Sequence, residues 1–454
     1  MSEAAPSTAS PALLRHGLDA AHRSPAIDAE PPLSPHLARA PELQQIRSGF
    51  VETLLFKGIS TPIALVLVVV QSRFLHTSGR GAFVLVILSV TILSRLLGQL
   101  GYAVTSRMEH HGLDLRRLVH GALATGLLLG VVGTAAIVLW GLLTPGIGVR
   151  IAAVASCALV PTILWQSLAG VLLGLGRIRL WNVVQTLPPL LTLIGMLVFV
   201  VALGLGVMGA VAAWVFAQVA TALVGLVACR AIWQPFLMRR LLELFDLPLA
   251  RLALTMGAVQ VVALISYRIE LFVLDRYRGI SRVGIYSVAV QTGEMLWLVA
   301  AAIATAVTAP CLHEDEQRAA SLIARSALKA LVYTALIGVG MAALAPLVIS
   351  PVLGHAFAGA VKPLRLLLPG LVAYAPVTVL VVYLSVRRGR PILSLSISVV
   401  GMIVTLVAAI VLIPQHGAAG AALASTLGYV ASAAIAWALL IRLRKGSRPV
   451  AVAA

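Results

Sequence analysis

Charge is scarce in this sequence: 11% of its 454 residues are Asp, Glu, Lys or Arg, against about 25% in an average soluble protein. That scarcity excludes an ordinary soluble enzyme. Acid is the rarer sign, with 16 Asp and Glu against 34 Lys and Arg. Lysine is nearly missing too, since only Lys57, Lys329, Lys362 and Lys445 occur. The three cysteines, Cys157, Cys229 and Cys311, lie too far apart for a disulfide framework or a thiolate metal cluster and read as buried or interfacial thiols. No phosphate-binding loop, paired zinc ligands or nucleophile elbow occurs, and Gly174-Leu175-Gly176-Arg177 is too short for a dinucleotide fingerprint, so no cofactor and no metal is expected. Residues 1 to 45 are rich in Ala, Pro and Ser and lack an apolar h-region. They are expected to form a disordered cytoplasmic tail, with the first apolar segment acting as an uncleaved signal anchor.

What is present is apolar length. Hydrophobic residues make up 60% of the chain and the mean hydropathy is +1.01. Runs of transmembrane length predict twelve helical spans near 51–72, 83–105, 119–143, 151–175, 183–203, 208–231, 253–274, 284–309, 328–350, 365–386, 392–413 and 419–441. The fold class is therefore an all-α polytopic membrane protein. A formal charge of +18 could signal nucleic acid, but no basic face with base-reading neighbours exists, so no nucleic acid is expected. Alternating loops instead sort the basic residues 24 to one side and 8 to the other, with Arg95 and Arg268 inside spans. The bias places both termini in the cytoplasm. The eight opposite residues, Arg80 among them, read chiefly as topology markers. Every predicted loop is short, which leaves no room for a soluble catalytic domain.

The two halves repeat. Gly206-Val207-Met208-Gly209-Ala210 opens the sixth span and Gly417-Ala418-Ala419-Gly420-Ala421 the twelfth, while Gly81-Ala82-Phe83 and Gly284-Ile285-Tyr286 open the second and eighth. Small residues recur every four positions at Gly209, Ala213, Ala217, Thr221 and Gly225, and at Gly420, Ala424, Gly428 and Ser432. Such stripes let helix backbones approach closely. Six spans per copy give both copies one orientation, related by a pseudo-twofold axis along the membrane normal. The expected boundaries are a tail at 1–45, a first lobe at 46–240, a second lobe at 241–441 and a second cytoplasmic tail at 442–454.

Charge near the bilayer centre costs about 2.5–3.5 kcal/mol on insertion scales, so each such residue is a functional candidate. Thr91, Arg95, Gln99 and Tyr102 form one polar stripe on the second span. The seventh carries Gln260, Tyr267, Arg268, Glu270 and Asp275; Arg268 and Asp275 share a face, whereas Glu270 points elsewhere and needs another partner. On the eighth, Ser287, Gln291 and Glu294 align, and Glu294 is expected to pair with Arg95 or Arg268. Arg73 sits at the outer end of the first span beside Gln71 and Ser72. A buried structural ion pair is the plain alternative for the charged members of this set. Prolines at 62, 161, 188, 189, 346 and 376 can kink their spans, with Pro62 the preferred gating site.

Three segments carry a resemblance. Ser72-Arg73-Phe74-Leu75 followed by Gly79-Arg80-Gly81-Ala82-Phe83 and then Gly98 to Gly101, Glu270-Leu271-Phe272-Val273-Leu274-Asp275 leading to Val283-Gly284-Ile285-Tyr286-Ser287-Val288-Ala289, and Leu412-Ile413-Pro414-Gln415-His416-Gly417-Ala418-Ala419-Gly420 are similar, in order and spacing, to polysaccharide flippases of the multidrug/oligosaccharidyl-lipid/polysaccharide (MOP) exporter superfamily. The likeness covers residues 48 to 441. It implies two six-helix lobes in a V around a central cavity, in the bacterial inner membrane. It also implies a Wzx-type flippase that moves an undecaprenyl-diphosphate-linked oligosaccharide for O-antigen or exopolysaccharide synthesis, without being an enzyme. The implied partners are that lipid-linked oligosaccharide, membrane lipids and a polysaccharide polymerase or chain-length regulator, with the chain itself a monomer. Arginine suits a diphosphate through its fork of donors. Arg95, Arg268 and Arg73 are therefore expected to bind substrate with Gln99 and Gln291, and Glu294, Glu270 and Asp275 to couple an ion or compete for the arginines. A drug/cation antiporter of the same superfamily competes with this reading, though no acidic residue lies in spans one to six beyond Glu52. A membrane-embedded polymerase or ligase would need a large outer loop.

Overall fold

A computed structural model describes residues 35–111, 115–144, 147–233 and 245–446. Every regular element among them is helical, as a bilayer core without water demands of a chain that must satisfy its own backbone groups. Contacts divide the chain into Met1–Glu52 and Thr53–Ala454. In the first unit the chain is helical from Pro35 onward, inside the segment expected to be a tail. Residues 1–34 and 447–454, the remainder of both expected tails, lie outside the described residues.

Eleven helical stretches among the described residues are long and apolar enough to cross a membrane. The first, Gly58–Arg107, has 50 residues, roughly 75 Å as a straight helix and far more than a bilayer core of about 30 Å. It breaks at His76, where φ is 56° and ψ −174°, a backbone conformation that costs a side-chain-bearing residue energy. The chain reverses there. Arg80 Nη1 donates to the carbonyl of Val68 at 2.9 Å, a residue that would be about 18 Å away on a continuous helix. Gly58–Arg107 is thus two antiparallel spans, and the twelve predicted from hydropathy are all present. The break falls at His76 and not at Pro62, which is exposed and sits in helical backbone.

The repeat inferred from Gly81 and Gly284 has a direct structural counterpart. A Cβ on Gly81 would overlap the carbonyl oxygen of Ile280, and a Cβ on Gly284 would overlap that of Thr77. Gly81 and Gly284 occupy equivalent places in the two repeats, as do Thr77 and Ile280, so the contact is reciprocal. Reciprocity is the signature of a twofold axis. The hydroxyls of Thr77 and Ser281 complete the crossing at 2.8 Å. Spans 2 and 8 therefore touch backbone to backbone at the end that the arginine bias assigns to the outside. The small-residue stripes also pack as expected: Gly420 lies against the backbone of Leu412 and Gly428 against Thr405, joining spans 11 and 12. Of the cysteines, Cys229 and Cys311 are buried and Cys157 is exposed.

This crossing makes a prediction. Cysteines introduced by Thr77→Cys and Ser281→Cys are expected to form a disulfide on mild oxidation, because the native hydroxyls already meet and a disulfide needs only a short Cβ separation. Adding Gly284→Val, whose branched side chain has no room against Thr77, is expected to abolish most of that cross-link, read as a mobility shift on a non-reducing gel.

Candidate functional site

The site lies just below the crossing. A cavity of about 450 Å³ is walled by spans 1, 2, 5, 6, 7 and 8, with Gln71, Thr91, Gln218, Arg268 and Gln291 as its principal polar lining. No acidic side chain lines it among the described residues. Gln218 is occupied, accepting from Trp165 Nε1 at 2.8 Å, whereas the buried side-chain oxygen of Gln71 has no partner.

Arg268 owes its position to a helix break. Span 7 runs as Leu247–Ser266 and then Ile269–Arg278, and the two residues between leave helical geometry, Tyr267 at φ −124° and Arg268 at φ −138°. Broken helices at membrane depth occur where the backbone lines a cavity or is buried in protein. From the break, Arg268 reaches Glu294 on span 8 as a two-pronged fork, Nη1 to Oε1 and Nη2 to Oε2, both at 2.7 Å. The guanidinium also lies 5.5 Å from the Tyr267 ring centre. Of the two pairings expected for Glu294, the one with Arg268 is formed.

Glu270 is fully buried and has the separate partner its helical phase required: Tyr286 donates to its Oε1 at 3.4 Å, and the Tyr286 hydroxyl also meets Ser425 at 3.1 Å. Its Oε2 has no hydrogen bond. Asp275 does not join Arg268 despite the shared face; it lines a different pocket with Trp140, Thr144 and Arg276. Arg95 is exposed and is not part of the cavity lining. Gln99 is buried and turned back toward the carbonyl of Arg95 at 3.4 Å, so the stripe on span 2 reaches the cavity through Thr91 alone. Arg73, at the rim, donates from Nε to the carbonyl of Val352 at 2.8 Å and from Nη2 to that of Pro351. It joins the first hairpin to the backbone after span 9.

Arg80 requires a correction. Read from the sequence as a loop residue that marks topology, it is completely buried. Its Nη1 also holds Ser72 Oγ at 2.8 Å, its Nε holds Ser287 Oγ at 3.0 Å, and its Nη2 holds Gln291 Oε1. The Phe357 ring centre lies 6.0 Å away. All of these acceptors are neutral, and Arg80 forms no ion pair among the described residues. The sequence carries no signal for it, because the tight reversal at His76 that brings Arg80 over Ser72 is not itself legible. Also missed was an aromatic cluster behind Arg268, in which Trp297 lies 6.0 Å from Tyr267, 5.4 Å from Tyr374 and 5.8 Å from Tyr429. At the other end, Arg107 grips Asp246 at 2.8 and 3.0 Å, while Asp246 caps the helix beginning at Leu247 through the amide of Leu249 at 2.9 Å.

Residues 46–315, more than half of the chain, match the sequence profile of a family described as polysaccharide biosynthesis protein. The chain belongs to this family. Among solved structures, the chain is similar to the lipid II flippase MurJ in an inward closed conformation, with 12% identity, a TM-score of 0.76, and 86% of this chain and 87% of that one covered. An inward-facing multidrug resistance transporter of the MATE family, in the MOP superfamily, follows at 15% identity and a TM-score of 0.68, covering 85% and 94%. A MOP superfamily transporter from Pyrococcus furiosus has 16% identity and a TM-score of 0.60, covering 88% and 95%. The fold is that of MOP transporters. No curated protein matches the chain by sequence.

The fork between Arg268 and Glu294 is mostly shielded, with 19% and 17% of the two side chains exposed. Removing one member of such a pair strands the other, at a typical cost of about 3–5 kcal/mol. Glu294→Ala is therefore expected to lower thermal stability in detergent markedly, with Arg268→Met added on top restoring much of it. Static light scattering during heating measures both.

Proposed function

We propose that this chain is a flippase that carries an undecaprenyl-diphosphate-linked oligosaccharide from the cytoplasmic to the outer leaflet of the bacterial inner membrane by alternating access. The family and the MOP fold support a transporter of the polysaccharide pathway. The observation that carries the finer reading is Arg80: a buried guanidinium that, among the described residues, has only neutral partners and shares Gln291 with a cavity without acidic lining. The lining's one cation among the described residues, Arg268, is held by Glu294, whereas the unneutralised guanidinium of Arg80 beside Gln291 favours an anion, and its fork of N–H donors fits phosphate oxygens. The same charge disfavours a cationic drug. MurJ and MATE proteins differ in what their names say they move, and the unneutralised charge of Arg80 supports the reading of an anionic, phosphate-bearing substrate here.

The arginines then fall in order of depth. Arg95 and Arg80 are both on span 2, roughly 22 Å apart by helical rise, and Arg268 borders the cavity between the two halves. Arg95, exposed, meets a diphosphate entering from the cytoplasm. Arg268 is offered next, in competition with Glu294, and Arg80 lies closest to the outer crossing. Glu270, whose second oxygen is unpaired, is the best placed of the three acids to take up a coupling cation or proton. Transfer of the glycan to a polymerase or chain-length regulator would follow outside.

Complementation of a strain lacking this chain tests the proposal. Arg80→Ala, inserted at wild-type levels, is expected to cut polysaccharide export by about tenfold or more, the effect of losing charge-assisted hydrogen bonds at a buried site. Lipid-linked oligosaccharide accumulates on the cytoplasmic leaflet at the same time. Arg150→Ala, at an exposed position that reads as a topology marker, is expected to export normally. Normal export by Arg80→Ala, or a drug-resistance defect in place of an export defect, would overturn the reading.

A further inference from the structure

The topology keeps basic residues away from the outer end, where only eight of the 34 fall. Three of those eight, Arg278, Arg282 and Lys362, converge with His416 on a single pocket of about 280 Å³. They come from three different hairpins, between spans 7 and 8, 9 and 10, and 11 and 12. No acidic side chain lines the pocket among the described residues. Positive charge on translocated loops works against the insertion bias, so a cluster assembled by tertiary folding is not what topological sorting leaves behind.

The pocket has a rigid side and an adaptable one. Arg278 is fixed: it donates to the carbonyls of Ile413 at 3.4 Å, Gln415 at 3.2 Å and Pro414, closing the last turn of the helix Pro391–His416. The next helix, Ala418–Gly446, is 29 residues long and presents its first residues, Ala418 and Ala419, to the pocket. A helix N-terminus carries partial positive charge and free amides. Arg282 and Lys362 are exposed, with long stems that can swing to a ligand. Cationic side chains on one side and a helix start on the other, with no acid lining the pocket among the described residues, favour an oxyanion.

We infer that this pocket is a second, outer site that binds the phosphate or diphosphate end of a lipid at the membrane surface. It uses none of the residues of the central cavity and does not depend on the flippase reading. The translocated carrier lipid and a resident anionic phospholipid share this chemistry.

Native mass spectrometry of the full chain released from nanodiscs tests it with three probes: inorganic pyrophosphate, undecaprenyl diphosphate and phosphatidylglycerol. Arg282→Gln with Lys362→Gln is expected to weaken retention of at least one probe by about tenfold, as loss of two charge-assisted contacts implies, while Arg282→Lys with Lys362→Arg keeps it. Both positions are exposed, and Lys362→Gln alone gives a milder version of the same loss should the double variant be poorly behaved. Undecaprenyl diphosphate displaced by pyrophosphate identifies the carrier lipid as the source, whereas a loss confined to phosphatidylglycerol identifies a resident lipid. Arg150→Gln, at an exposed position that lines neither site, leaves retention of all three probes unchanged when run in parallel, and the cavity reading is tested separately by export, so a failure of that reading and a failure of this one are separable. Retention that is the same in the wild type and the Gln double variant for all three probes, or absent for all three in the wild type, overturns the inference.

Discussion

The structure depends on one close approach, the crossing of spans 2 and 8 at Gly81 and Gly284. A side chain at either glycine would strike a carbonyl of the opposite repeat, so only glycine permits the two backbones to touch. Because the contact is reciprocal, it fixes the two halves about a twofold axis and brings them together at the end where span 1 turns into span 2. Everything nearby follows from that closeness: the Thr77–Ser281 hydroxyl pair, the reach of Arg73 to residues 351 and 352, and the burial of Arg80 at the top of the cavity. A membrane provides no hydrophobic drive between helices, and packing of this kind is what remains to hold two repeats together.

The symmetry is broken by charge. The position equivalent to Arg80 in the second repeat is Val283, which is fully buried too, so one repeat contributes a cation where the other contributes an apolar side chain. Burying an ion costs several kcal/mol unless its surroundings compensate. At Arg268 the compensation is a carboxylate held in a fork. At Arg80 it is a ring of neutral oxygens from both repeats, which satisfies the donors and leaves the charge unneutralised. Those acceptors divide between the first hairpin, Val68 and Ser72, and span 8, Ser287 and Gln291. Parting the outer seam must therefore break half of them.

Much of this was legible in the residues. Apolar run length gives the twelve spans, and Gly81 with Gly284 gives the repeat. The Arg268–Glu294 pair also follows from sequence, because two opposite charges in adjacent spans have few other places to go. Arg80 was hidden by its address. A basic residue between two apolar runs reads as solvated unless the turn is known to be so tight that the next helix begins beneath the other repeat. The reversal itself is equally silent, since His76 is not a residue that usually breaks a helix, whereas Pro62, which is, lies in helical backbone. Arg95 and Gln99 lie off the cavity lining for a different reason. Helical periodicity shows that residues share a face, but which neighbour that face meets is a tertiary fact, and here Thr91 faces the cavity while Gln99 turns back on its own helix.

The unequal partners of the buried arginines bear on direction. An anion that reaches Arg268 must displace Glu294 from a two-pronged fork, and it gains a cation at the expense of stranding a carboxylate. At Arg80 it displaces only a serine hydroxyl and a glutamine amide, both of which can find other partners. On the transport reading, the free energy of an anion in the cavity therefore falls toward the outer crossing, and the acceptors it displaces there are the ones contributed by span 8. The same exchange that binds the anion removes hydrogen bonds that hold the outer seam together. Occupancy and opening are then coupled through one guanidinium, because Arg80 cannot give its full fork of donors to a phosphate and to Ser287 and Gln291 at once.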